Sequence, residues 1–126
     1  MSAQIKTLLQ HPLSHSLTGM CLMGGWAAWS NSGFAMPAPL IAALTQGALT
    51  GGITFLMHRV VERVFAVSLC WFCAAVCGMA TSALFLVGGH TIAGTPAFWQ
   101  TIVVPLCGAS IYTLSFGFSL RKTPYD

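Results

Sequence analysis

The stretch APLIAALTQGALTGGITFLM, residues 38–57, runs for twenty positions without a charged side chain. A helix of about 20 residues is long enough to cross the hydrocarbon core of a bilayer, which is about 30 Å thick. Because lipid offers no hydrogen bonds, a spanning backbone must satisfy its own polar groups, and a helix does so. The stretch therefore predicts a transmembrane helix.

Three further stretches free of Asp, Glu, Lys and Arg predict transmembrane helices at about residues 16–34, 64–87 and 98–120. The segments NSGFAMPAP (31–39) and GGHTIAGTP (88–96) are rich in glycine and proline, so they predict loops. The polar segment HRVVERV (58–64) predicts a tight turn between the second and third spans. Residues 1–126 are thus expected to form a single all-α membrane domain of four transmembrane helices in two antiparallel hairpins.

Composition supports a membrane protein. Hydrophobic residues make up 56% of the chain and charged residues 6%, with a mean hydropathy of +0.77. A soluble domain carries about 25% charged residues, so membrane lipids are expected to cover most of this surface. The net charge of +3 is not clustered on one segment, which argues against nucleic acid as a partner.

The basic residues predict the orientation. They lie before the first span, between the second and third spans, or after the fourth, namely Lys6, Arg59, Arg63, Arg121 and Lys122. Cytoplasmic loops are enriched in Lys and Arg, so both termini are expected in the cytoplasm (N-in/C-in) of a bacterial inner membrane. A cleaved signal peptide is the alternative for the first span, but two tryptophans near its end and the lack of a clear cleavage site oppose it.

A polar stripe follows one face of the second predicted helix. Gln46, Thr50 and Thr54 recur every four residues. In one interpretation the threonines bond to carbonyl groups one turn earlier, and Gln46 bonds across a helix interface. In the other the three side chains line a substrate path, because a glutamine avoids lipid and faces protein or water.

A ladder of small residues lies beside this stripe. Ala43, Gly47 and Gly51 form a small-xxx-small pattern that allows close approach of another helix. The ladder predicts helix packing, and with the small size of the domain it predicts a homo-oligomer or a complex with a larger membrane protein.

Four titratable residues are predicted to share the cytoplasmic side. His11 and His15 form one i, i+4 pair before the first span, and His58 and Glu62 form another between the second and third spans. Together they are candidates for a cytoplasmic mouth that binds a cation or moves a proton. The alternative is a set of solvated residues at the membrane surface, with Glu62 paired to a neighbouring arginine.

Three cysteines lie close together in LCWFCAAVCGM (69–79). On one continuous helix Cys70 and Cys77 would stand about 10 Å apart along the axis, so the three sulfurs could not share one metal ion. Cys73 and Cys77 could supply two ligands, and this is a weak metal or redox hypothesis. The favoured interpretation is that the thiols serve as small packing residues, since apolar surroundings suppress the reactive thiolate.

No catalytic motif, phosphate-binding loop or soluble head is present in the sequence, so we expect neither an enzyme nor a cofactor. The polar stripe favours a transporter or channel subunit for a neutral, amphipathic or lipid-linked solute. The alternative is a non-catalytic helper that stabilises or regulates a larger membrane complex.

Overall fold

A computed structural model describes the backbone of residues 12–121 and the side chains from residue 17 onward. This part of the chain forms four helices: α1 (Pro12–Ser30), α2 (Ala38–Ser68), α3 (Trp71–Ile92) and α4 (Phe98–Leu120). Helices α2, α3 and α4 are long and apolar enough to cross a membrane. The predicted class, an all-α membrane protein, is therefore confirmed, whereas a membrane-spanning α1 and the orientation of the chain stay predictions.

The observed helix bounds agree best with the predicted ones where proline and glycine residues lie next to a helix end. Helix α4 covers the predicted residues 98–120, and α1 begins and ends four residues earlier than the predicted 16–34. Helix α3 continues to Ile92. The predicted loop at 88–96 is therefore helical in its first five residues, which places His90 in the last turn of α3.

The predicted turn at residues 58–64 is wrong. Helix α2 continues through this segment to Ser68, and the chain reverses at Leu69 and Cys70 before α3 begins at Trp71. The segment HRVVERV contains no glycine or proline to end a helix, and His58 and Glu62 pair across one turn of it. Leu69 ends α2 in the left-handed conformation, with φ of 54°, and its N–H bonds to the carbonyl of Phe65.

Helix α2 is the centre of the bundle, since it contacts each of the other three helices. Its buried side chains belong to two hydrophobic clusters. One joins Met57, Val61 and Phe65 to α3, and the other joins Ile53 of α2 to Leu86 of α3 and Ile102 of α4. Many large apolar side chains on the outer faces are exposed, as expected for a surface that lipid covers.

The small-residue ladder on α2 packs against α1 of the same chain. A Cβ added to Gly24 would lie 3.0 Å from the carbonyl oxygen of Ala43, and one added to Gly47 would lie 3.5 Å from that of Met20. Gly51, the third member, is half-buried. The face of Ala43 and Gly47 is therefore occupied inside the chain, which removes it as a contact for a second subunit.

Candidate functional site

A half-open cavity of about 210 Å³ lies between the helices. All four helices contribute to its wall, with α2 and α4 supplying most of it. The lining residues are Met23, Gln46, Thr50, Ile53, Thr54, Met57, Leu86, Pro105, Gly108, Ala109 and Tyr112. The structure thus brings the three residues of the predicted substrate path together in one cavity whose other walls are largely apolar.

The hydroxyl groups of the polar stripe also bond within α2. Thr54 Oγ1 donates to the carbonyl of Thr50 at 2.7 Å, and Thr50 Oγ1 donates to the carbonyl of Gln46 at 2.8 Å. Each threonine therefore uses its hydrogen inside the helix and keeps an oxygen as an acceptor. Both interpretations of the stripe have a geometric basis, because the same side chains bond along α2 and line the cavity.

Gln46 reaches across to α3, where it meets His90. Both side chains are fully buried. Gln46 Oε1 lies 2.8 Å from His90 Nε2, and His90 Nδ1 lies 2.8 Å from Thr95 Oγ1. Thr95 is in the loop after α3 and is also buried. A chain of hydrogen bonds therefore connects the polar stripe with this loop.

The hydrogen bond of Thr50 to the α2 backbone determines which group donates in each of the other hydrogen bonds of this series. Thr50 gives its hydroxyl hydrogen to the α2 backbone, so it accepts from Gln46 Nε2, at 3.1 Å. The amide oxygen of Gln46 therefore faces His90, and a neutral His90 ring must donate from Nε2. Its Nδ1 then accepts the hydroxyl hydrogen of Thr95. Each ring nitrogen has a partner, which a buried polar group requires.

Asn31 holds α1 and α4 together near the same loops. This fully buried residue follows the last residue of α1. Its Nδ2 donates to Ala27 O and to Thr101 Oγ1, both at 2.8 Å, and its Oδ1 accepts the N–H of Ala97 at 2.9 Å. All the side-chain hydrogen bonds of Asn31 are internal, so we assign it a structural role.

A second cavity, of about 460 Å³, lies between α1 and α4 on the side of these loops. Its wall is rich in tryptophan and consists of Trp26, Trp29, Ser30, Trp99, Gln100, Val103 and Val104. The hydroxyl of Ser30 is buried and has no hydrogen-bond partner among the residues described here. Residues of both α1 and α4 line each cavity, although α2 also contributes to the first. We call the space between α1 and α4 the α1–α4 groove.

Tyr112 connects the first cavity to His58, which lies in the C-terminal part of α2. The hydroxyl of Tyr112, which lines the cavity, lies 3.4 Å from His58 Nδ1. His58 Nε2 lies 3.2 Å from Glu62 Oε1, and the His58 ring stacks on Phe116 with 4.2 Å between ring centroids. Because the side chains of His58 and Glu62 are both about half exposed, the ion pair between them contributes little to stability.

Only half of the predicted cytoplasmic mouth can be located. His58 and Glu62 lie together at this end of the bundle. His11 and the side chain of His15 lie outside the described part of the chain. Tyr112 was not anticipated, and it connects the His58–Glu62 pair to the cavity.

The cysteines do not lie as expected. Cys70 precedes α3 as its N-terminal cap, and it pairs with Cys73 as a disulfide. Cys77 is free and exposed, whereas Cys73 is bonded to Cys70, so these two thiols do not form a pair in this structure and the weak metal hypothesis stays a prediction. Within the described residues, no group of three His, Cys, Asp or Glu side chains could hold a metal ion.

The small residues that pack on the inner face of α3 are neighbours of the cysteines rather than the cysteines themselves. Ala74, Ala75 and Gly78 are buried on the inner face of α3, whereas Cys73 and Cys77 are exposed. An uninterrupted helix from residue 64 would have placed all three cysteines on one face, but the break at Leu69 removes Cys70 from it. Cys73 and Cys77 therefore do not pack inside this bundle, and Cys70 is half-buried at the start of α3.

No family model, curated protein or solved structure matches the chain. The fold and the site define a small all-helical membrane protein with a half-open cavity, whose described lining is uncharged, next to a buried histidine.

Proposed function

We propose that the protein is a transporter or channel subunit that moves a neutral, amphipathic or lipid-linked solute along the α1–α4 groove. One observation carries this proposal: the polar stripe of α2 faces a cavity whose described lining contains no charged side chain. A charged solute would find no counter-charge there, whereas a solute with apolar and uncharged polar parts would find both kinds of wall.

The size of the first cavity limits the part of the solute that it can hold. The first cavity, about 210 Å³, is smaller than the pockets of roughly 300–1,000 Å³ that hold drug-sized ligands. It would hold about seven waters at roughly 30 Å³ each, or one small polar group. A larger amphipathic molecule would have to place its polar part here and leave its apolar part in the surrounding lipid.

Passage through the groove is proposed to be passive. The chain has two acidic side chains, Glu62 and Asp126; Glu62 lines neither cavity, and Asp126 lies outside the described residues. Transporters that couple substrate movement to protons or sodium commonly use ionisable side chains or opened helix backbone within the membrane. The uncharged groove supports movement down a gradient, without a catalytic step or a cofactor.

We propose that all four helices cross a bacterial inner membrane, with both termini and the turn at residues 69–70 in the cytoplasm. Arg59 and Arg63 lie in the C-terminal part of α2, and Arg121 follows α4, so all three lie at the same end of the bundle. The loops at the other end contain no Lys or Arg. Helix α1, although less apolar, packs closely along α2 through Gly24 and Gly47.

Thiol labelling tests this orientation. In a chain whose native cysteines are replaced by serine, Ser32→Cys and Ile92→Cys should react with a membrane-impermeant maleimide added outside right-side-out vesicles. Both positions are exposed at the loop end of the bundle. In inverted vesicles they should react only after detergent is added. Labelling of either position in intact inverted vesicles would overturn the proposed orientation.

Reconstitution tests the transport function. The purified protein alone should accelerate the passage of at least one probe across liposomes, from a panel of small neutral solutes, a labelled phospholipid and a labelled polyprenyl lipid. Liposomes without protein provide the background. If no probe moves and a larger membrane protein co-purifies from native membranes, the helper function replaces transport.

A further inference from the structure

The sequence CWFC (70–73) lies at the turn between α2 and α3, where the two cysteines form a disulfide. Cys70 caps the N-terminus of α3, and Cys73 lies in the first turn. Cys73 is exposed and Cys70 is half-buried. The pair is therefore accessible at one end of the bundle, and neither cysteine lines the cavity that carries the proposed transport function.

The position of Cys70 favours a reactive sulfur. Its Sγ accepts the backbone N–H of Cys73 at 3.2 Å, and it lies at the positive end of the α3 dipole. Both interactions stabilise a thiolate at Cys70 after the disulfide opens, as they do for other cysteines at helix N-termini. Cys77, about two turns beyond Cys70 in the same helix, lacks this position and is a free thiol.

The compartment gives a second argument, which rests on the orientation proposed above. With both termini inside, the turn at residues 69–70 faces the cytoplasm. Glutathione and thioredoxin keep most cytoplasmic thiols reduced, and the disulfides that form there in mesophiles are usually transient, catalytic or redox-sensing. An accessible disulfide at this turn thus fits a pair that is opened and closed repeatedly.

We propose that Cys70 and Cys73 form a thiol–disulfide exchange site that accepts electrons from a cytoplasmic dithiol. A thiolate of the dithiol attacks the exposed Cys73 Sγ, the Cys70–Cys73 bond breaks, and Cys70 leaves as the stabilised thiolate. The second thiolate of the dithiol then attacks the mixed disulfide and releases Cys73. Two electrons and two protons pass to the cysteine pair, and the dithiol becomes a disulfide; the reverse sequence regenerates the starting pair.

A redox titration tests this site without any measurement of transport. In a variant with Cys21→Ser, Cys77→Ser and Cys107→Ser, the purified protein is equilibrated with dithiothreitol or with reduced and oxidised glutathione at different ratios. A maleimide–polyethylene glycol reagent then reports the free thiols by gel shift. We expect a reversible transition from no free thiol to two, reached from either direction, with unchanged helical circular dichroism.

Single-cysteine variants test the role of the helix N-terminus. A variant that keeps Cys70 alone should form a mixed disulfide with oxidised glutathione at least about tenfold faster than one that keeps Cys77 alone, because a larger fraction of Cys70 is thiolate. A disulfide that resists excess dithiothreitol until the helices unfold would show a structural cross-link and overturn the proposal. Two free thiols under every condition, or equal rates for Cys70 and Cys77, would also overturn it.

Discussion

Replacing Gln46 by leucine should abolish solute flux in reconstituted liposomes and lower the free energy of unfolding by about 1–3 kcal/mol. Gln46 is fully buried and provides the partner of His90 Nε2, at 2.8 Å. Leucine leaves one nitrogen of the buried ring unpaired in either tautomer, which accounts for the loss of stability. It also removes the amide from the cavity wall, which accounts for the loss of flux.

A double-mutant cycle separates these two effects. His90→Phe removes the other partner, so the double variant Gln46→Leu/His90→Phe contains no unpaired ring nitrogen and should recover part of the stability lost by Gln46→Leu alone. If the amide is needed in the solute path, flux stays absent although stability returns. Full flux in the stable double variant would show that Gln46 serves packing only, and would remove the polar stripe from the proposed path.

Replacing Gly117 by alanine should destabilise the bundle by about 1–3 kcal/mol, the range for overpacking of a tight core. A Cβ at this position would lie 2.9 Å from the carbonyl oxygen of Trp71 and 3.3 Å from Cβ of Ala75. The first of these atoms belongs to the α3 backbone, so a rotamer change cannot relieve the contact. The two helices would have to separate where α4 meets the start of α3.

Gly108→Ala is the matched control for this prediction. Gly108 lies in the same helix, and nothing stands within 4 Å of a Cβ placed there. The control should be neutral or slightly stabilising, because alanine favours a helix by up to about 1 kcal/mol over glycine. Thermal unfolding in detergent, followed by circular dichroism, compares the two variants. Equal transition temperatures would contradict the close contact between α3 and α4.

The helical architecture could be predicted because it depends on apolar length and on proline and glycine, which are local properties. The same reasoning failed at residues 58–64. There the charged side chains of Arg59, Glu62 and Arg63 suggested a loop, although every residue of the segment is compatible with a helix. Polarity indicates where a chain meets water, and a helix that extends beyond the apolar core meets water without ending.

The site was predicted in part, because its members come from different helices. Gln46, Thr50 and Thr54 share one helix face, so their spacing indicated a polar stripe. His90 was assigned to a loop, and Tyr112 comes from α4. One signal was available: Asn31 and His90 each stand six residues before the proline of a loop, Pro37 and Pro96, and both prove to be buried. Their partners depend on tertiary packing, which spacing along the chain does not reveal.

A reversible block of the cavity would test the central claim most directly. Gly108 lines the cavity and has open space beside it, so Gly108→Cys in a chain whose five native cysteines are serine places one thiol in the proposed path. Gly52→Cys, exposed on α2 and outside the cavity lining, is the control. Modification with a bulky methanethiosulfonate should reduce flux through the Gly108→Cys protein to the level of protein-free liposomes, and dithiothreitol should restore it, while the control stays unaffected. Unchanged flux through fully modified Gly108→Cys protein, with modification verified by mass, would contradict passage through this cavity.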